Sequence, residues 1–293
     1  MSRTDRGRRN LSFFFYLLYG SVLLSILLVV FFPSRKVRQY CTETVERLIP
    51  GTKCSIGSVG YGFPLALRFQ DIQLTGAKGD ILFSVEFLSV RAELQRPGLY
   101  IFARLYDGEY RCRLLMTRNR DTFRLADIEA RHLDLGRWEG LQKFLGRNIS
   151  GFLDFSGYYS WRLGRILGGE AEGMARVHDG SMELLRPILS LNAVTLQDSE
   201  IAFQFRNQRL TIKKGNVHGK EFDGIFTGMF QFSLPLTGSI LEITGDLTPT
   251  PTLVNADQRW KNIAAILRRR YKQSTLPFVV SGTLTSPLFR FGG

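Results

Sequence analysis

Residues 99–116 read LYIFARLYDGEYRCRLLM, and the alternation in this stretch decides the fold class. Leu99, Ile101, Ala103 and Leu105 share one parity, with Tyr100, Phe102 and Arg104 between them. Tyr110, Cys112, Leu114 and Met116 continue the pattern opposite Arg111 and Arg113. A period of two marks strands that bury one face. The Asp107-Gly108 pair between the runs supplies the positive φ that a tight hairpin needs, so two antiparallel strands are predicted here.

The same period extends to both sides. Leu65, Leu67 and Phe69 alternate with Ala66 and Arg68, and Ile81, Phe83, Val85 and Phe87 alternate with Ser84 and Glu86. The second half repeats the manner with Ile201, Phe203 and Phe205, then Leu210 and Ile212, then Phe226, Phe230, Phe232 and Leu234, then Leu241 and Ile243. Phe278, Val280 and Leu284 form a last strand. Asp179-Gly180, Thr237-Gly238 and Thr244-Gly245 read as turns between such runs.

Helical spacing occurs in three places. Val37, Tyr40, Cys41, Val45 and Leu48 make a short amphipathic helix ended by Pro50 and Gly51; Trp138, Leu141, Phe144 and Leu145 make a second. Near the end Asn255 can cap a third, whose stripe is Trp260, Ile263, Ala264, Leu267 and Tyr271. Its Arg268, Arg269, Arg270 and Lys272 read as a solvated face, with head-group contact as the alternative.

From Leu11 to Phe32 no residue is charged, and as a helix this run spans roughly 33 Å, one bilayer crossing. It meets Pro33, Ser34, Arg35 and Lys36 without a small-residue cleavage pattern, so an uncleaved anchor is expected and a cleaved signal is the competing reading. Arg3, Arg6, Arg8 and Arg9 before the run outnumber Arg35, Lys36 and Arg38 after it, which slightly favours a cytoplasmic N-terminus. The expected organisation is a cytoplasmic tail at 1–10, a transmembrane signal anchor at 11–32 and an exported β-rich domain at 33–293. The formal net charge of +13 attracts anionic partners, but much of it surrounds the apolar run, and an exported domain lies away from nucleic acid.

No catalytic chemistry is legible. The hydrolase elbow, the phosphate loop, the H-E-x-x-H zinc motif and any C-x-x-C pair are absent. Gly57, Gly60 and Gly62 sit in a strand-rich region and read as turn glycines. His132, His178 and His218 share no metal-ligand spacing, and Glu170 and Glu172 have no partner that would make an acid–base pair. No enzyme activity, cofactor or metal is expected. Among three cysteines, Cys41 and Cys54 could pair across the Pro50-Gly51 turn in an oxidising compartment; three packed thiols are the equal alternative. Asn148-Ile149-Ser150 fits a glycosylation acceptor, relevant only in a host that glycosylates exported proteins.

The order of an N-terminal anchor, a short helix, PGTKCSIGSVGY at 50–61, FPLALRFQDIQL at 63–74, glycine-turned strands and a closing LPFVVSGTLTSP at 276–287 resembles type II secretion system protein N, in its form related to AsmA-like envelope proteins. The resemblance covers nearly the whole chain in layout. It implies a single-pass protein of the cell inner membrane with a periplasmic domain. It also implies an accessory role, by binding and assembly, beside other type II secretion subunits. AsmA-like relatives imply the alternative of a curved sheet that binds or transfers phospholipid. The residues agree in one respect: many strands place Phe, Leu, Ile and Val on one face, with few helices to cover it, so the sheet either closes into a sandwich or holds something apolar. In the second case Phe83, Phe87, Phe203, Phe205, Phe230 and Phe232 are the candidates to line the groove. The chain is short beside relatives that bridge two membranes.

Overall fold

The alternating runs lie in strands, with Leu65 just before one and Phe232 just after another while Leu234 and Leu284 are outside the described residues, and each strand pairs with its neighbours in sequence. The computed structural model describes residues 15–292 except 17, 21, 24–26, 28–30, 64, 94–96, 118–120, 189–190, 234–237, 257, 272–274 and 284–285. The strands are β1 (Thr52–Gly62), β2 (Ala66–Gly76), β3 (Ile81–Glu93), β4 (Gly98–Leu105), β5 (Gly108–Met116), β6 (Thr122–Asp134) and β7 (Ile149–Arg162). They continue as β8 (Arg165–Ile188), β9 (Leu191–Arg206), β10 (Arg209–Gly219), β11 (Phe222–Gln231), β12 (Ile240–Pro249), β13 (Leu276–Thr283) and β14 (Pro287–Phe291). All lie in one 14-stranded sheet in chain order, each pair antiparallel, with β1 and β14 at its edges. The fold is therefore mainly β, as the alternation predicts.

The predicted hairpin is β4–β5, with Leu105 paired to Gly108. Its positive φ falls on Tyr106 and Asp107, at 51° and 58°, rather than on the glycine. Gly108 answers a different need: a Cβ there would lie 2.5 Å from the Arg131 carbonyl oxygen of β6. Two other predicted turns are strand interior. Asp179-Gly180 lies within β8, where Asp179 at φ 50° makes an irregularity, and Gly245 pairs with Phe226 in the middle of β12. Thr237 lies outside the described residues.

Registry carries the apolar side chains across the sheet in rows. One row runs Tyr159, Ala171, Phe205, Leu210, Phe230 and Leu241 from β7 to β12. The next runs Gly157, Gly173, Phe203, Ile212, Gly228 and Ile243. Because side chains alternate across a sheet, these rows make one apolar face. The opposite face is polar and carries cross-strand ion pairs, among them Arg176–Asp198, Arg206–Glu170 and Lys213–Glu172 at 3.0, 2.9 and 2.7 Å.

The first three strands change phase together. On β1 the buried positions step from Ile56 to Val59, on β2 from Ile72 to Phe69, and on β3 from Val85 to Leu88. Asp71, at φ 53°, lies at the centre of this step opposite Gly57. A left-handed residue inside a strand turns the following side chains to the other face, as a bulge does. The strict alternation expected through Phe87 therefore stops at Val85.

Helix α1 (Ser34–Leu48) runs antiparallel to β1: Glu46 accepts from the Cys54 amide at 3.0 Å and Arg38 donates to the Gly57 carbonyl at 3.2 Å. Val37, Cys41 and Val45 pack on Cys54, Ile56, Val59 and Phe69. A 3₁₀ turn (Leu135–Arg137) and α2 (Glu139–Leu145) leave β6 and reach back to β3. Trp138 there donates its indole N–H to the Leu82 carbonyl at 3.1 Å. The third helical region starts earlier than predicted, as α3 (Pro251–Ala256) followed by α4 (Gln258–Tyr271). Asn255 thus lies inside α3 instead of capping, since Pro251, whose fixed φ suits a first helical turn, opens the helix four residues sooner.

Most of the expected anchor at 11–32, and the whole tail at 1–10, lie outside the described residues. Among the described residues no helix is long and apolar enough to cross a membrane.

Candidate lipid-binding face

The middle of the apolar face is a floor of aromatic rings laid on small residues. Phe155 and Phe203 lie with ring centroids 5.7 Å apart, Tyr159 and Phe205 at 6.3 Å, and Phe205 and Phe232 at 5.9 Å. Trp161 joins this floor, stacked on Tyr159 at 5.4 Å and on Phe123 at 5.7 Å. Gly157 and Gly173 face each other across β7 and β8, and a Cβ on Gly173 would come within 3.1 Å of the Phe203 ring. Close packing of rings and backbone is what the glycines provide here, so their role is sterics and not turning.

Of the six phenylalanines singled out from the sequence, five lie on this face. Phe203, Phe205, Phe230 and Phe232 are half-buried in its second half. Phe83 lies at the other end, enclosed by Tyr106 and Trp138 with ring centroids at 5.9 Å from each. Phe87 does not join them. The phase step at Asp71 puts it on the polar face, where its ring lies 6.3 Å from Phe102 and under the Arg104 guanidinium at 5.2 Å. Phe123, Phe155, Tyr159 and Trp161 were not singled out, although Phe155, Tyr159 and Trp161 alternate with Ser156, Tyr158 and Ser160 in the sequence and carry the same signal.

Helical segments close one end of this face at two places. Near β3 and β4, the stacked Tyr106 and Trp138 rings, 5.5 Å apart, cover Phe83, and the Tyr106 hydroxyl accepts from the Ser84 amide. Burial pushes the Tyr106 phenol above its ordinary pKa. Near β11 and β12, Trp260 is 1% exposed and meets Phe222 edge-on at 5.4 Å, with Leu253, Leu247 and Leu191 around it. Between these two covers the phenylalanines of β9 to β11 keep part of their surface open. An apolar surface that is neither solvated comfortably nor fully covered is suited to hydrocarbon.

Charged side chains of the polar face pair with one another. Arg111 bonds Glu129 and holds its carboxyl below the ordinary carboxylate range, and Lys213 does the same to Glu172. The pair Glu170 and Glu172 is thereby divided between Arg206 and Lys213. His132 stacks on Phe152 at 4.0 Å and His178 lies tilted to the same ring at 5.8 Å, with Asp154 beside them, while His218 pairs with Asp223 at 3.2 Å. Among the described residues no group of histidine, cysteine and carboxylate side chains could hold a metal ion.

All three cysteines are thiols in the structure, the second of the two alternatives, and Cys41 and Cys54 are not bonded there. The two share the cluster between α1 and β1, where they pack with Ile56 and Val59. Burial raises the thiol pKa of Cys41, Cys54 and Cys112, and at Cys54 the charge of Glu46 adds to the effect. A raised pKa leaves less thiolate at neutral pH, and thiolate is the nucleophile. All three are therefore expected to react with iodoacetamide at pH 7 more slowly than a free cysteine, and faster as pH rises. Labelling of any one at the free-cysteine rate, followed by mass spectrometry, contradicts this environment.

Compared with family models, with curated proteins and with solved structures, the chain has no significant match in any of the three.

Proposed function

We propose that the chain is a membrane-anchored, non-enzymatic protein of the cell envelope that binds phospholipid acyl chains on the apolar face of its sheet. The observation that carries this reading is the half-buried aromatic floor of Phe203, Phe205, Phe230 and Phe232, which continues in register over several strands. The proposal includes a transmembrane anchor at 11–32, a periplasmic domain at 33–293 and a sheet curved around its apolar side. The bulges at Asp127, His132 and Asp179 support that curvature, since bulges bend and twist strands. The full chain extracted in detergent and examined by native mass spectrometry is expected to retain phospholipid. A lipid-free chain under extraction conditions that preserve lipid on other membrane proteins overturns the reading.

A second reading is an accessory of the type II secretion system, acting by assembly with its other subunits. The layout resemblance supports it, as does β14, which among the described residues is an edge strand and so offers a site for strand addition. Crosslinking in cells from Arg290 on that edge is expected to recover secretion subunits, and recovery of none of them counts against this role.

A further inference from the structure

We infer that the connection end of the sheet opposite the helical covers rests on an anionic phospholipid bilayer, the one that the N-terminal segment enters. This rests on the proposed anchor for the identity of that bilayer, and on independent geometry for the surface. The direction of α1 is the first part of that geometry. Glu46 near its C-terminus lies by Cys54 at the start of β1, Arg38 near its N-terminus by Gly57, and Phe32, just before the helix, lies 6.3 Å from the Tyr61 ring at the end of β1. The chain before Pro33 therefore departs beside the β1–β2 connection.

Chain order then fixes what else is at that end. In an antiparallel meander every connection from an odd to an even strand lies on one side, so the links after β1, β3, β5, β7, β9, β11 and β13 share the end where the N-terminal segment departs. Among the described residues the α-helical insertions, after β6 and after β12, lie at the other end. The end shared with the N-terminal segment exposes large apolar side chains at its connections: Phe63 at 72%, Leu163 at 68%, and Leu65 and Met116 at about half. Arginines stand beside them, with Arg68 and Arg91 on β2 and β3 and Arg124 and Arg162 on β6 and β7.

Apolar tips interleaved with guanidinium groups fit a bilayer interface. The tips enter the acyl boundary and the arginines meet phosphate and anionic head groups. A second protein would bury such a rim as well, but the rim surrounds the departure point of the membrane segment and carries a positive excess. Both point to the bilayer. The same placement leaves the helical covers α2 and α4 at the end away from the bilayer.

The test uses the full chain in vesicles of phosphatidylethanolamine and phosphatidylglycerol. Phe63→Cys, Leu163→Cys, Lys78→Cys and Lys220→Cys are each labelled with an environment-sensitive fluorophore, the last two being exposed at the helical end. Nitroxide-bearing lipid is expected to quench the labels at 63 and 163 several-fold more than those at 78 and 220. Equal quenching at all four, or stronger quenching at 78 and 220, overturns the inference. The double variant Arg68→Glu, Arg162→Glu, carrying the label at 163, is expected to lose most of that quenching while remaining on the vesicles; unchanged quenching removes the arginines from the contact. Washing with alkaline carbonate after the measurement tests the anchor separately. A chain stripped by carbonate loses the anchor, whatever the labels had reported about the rim.

Discussion

Replacement of Trp260 by alanine is expected to destabilise the protein by about 3–5 kcal/mol, the range for deleting a buried large aromatic ring. Trp260 is 1% exposed, meets the edge of Phe222, and holds α3 and α4 against Leu247 through its neighbour Leu253. Removal leaves a cavity that a two-helix cover cannot fill without sliding along the sheet. Trp260→Phe keeps the ring contact. Among the described residues the indole N–H has no acceptor, so the change also removes a buried, unsatisfied donor. Its cost is expected to be smaller than that of Trp260→Ala, because a phenyl ring leaves a smaller cavity. Urea unfolding of the full chain in detergent measures both; a loss under about 1 kcal/mol for Trp260→Ala contradicts the docking of α4 on the sheet.

Phe203→Asp is expected to reduce copurified phospholipid by about tenfold or more, because a carboxylate in contact with acyl chains costs more than ~1.4 kcal/mol. Phe203 lies over Gly173 and against Phe155, so the new charge enters the middle of the aromatic floor. Gln204→Asp, one residue away on the polar face, is expected to leave bound lipid unchanged. Because Phe203 is only half-buried, circular dichroism of Phe203→Asp is expected to remain strand-rich, and Phe203→Ala provides a milder loss if it does not. Lipid retained at the wild-type level by folded Phe203→Asp places the acyl chains elsewhere.

The fold class was legible because a sheet with one dry face writes a period of two into its sequence, and Leu99 to Met116 shows it with little interruption. Three kinds of feature were not. Phase steps were hidden, since Asp71, Asp127 and His132 adopt positive φ without being glycine, and Phe87 was assigned to the wrong face as a result. Glycines were misread as turns where they serve close approach: Gly245 pairs with Phe226 within the sheet, and Gly108 clears the backbone of β6. The short helices were legible as stripes, but their destinations were not, because the contacts of Trp138 with Leu82 and of Trp260 with Phe222 join distant parts of the chain. The candidate floor was found through phenylalanine alone; Tyr159 and Trp161, amphipathic rings among glycines, alternate just as regularly.

The two-faced character of the sheet, dry side toward lipid and charged side toward water, is tested most directly by site-specific photocrosslinking in cells. A benzophenone side chain placed at 203 or 230 samples the apolar face, and one at 204 or 229 samples the other, in adjacent positions of the same strands. Lipid adducts from 203 and 230, with none from 204 and 229, are the expected result. Adducts at both parities, or at 204 and 229 alone, would contradict it.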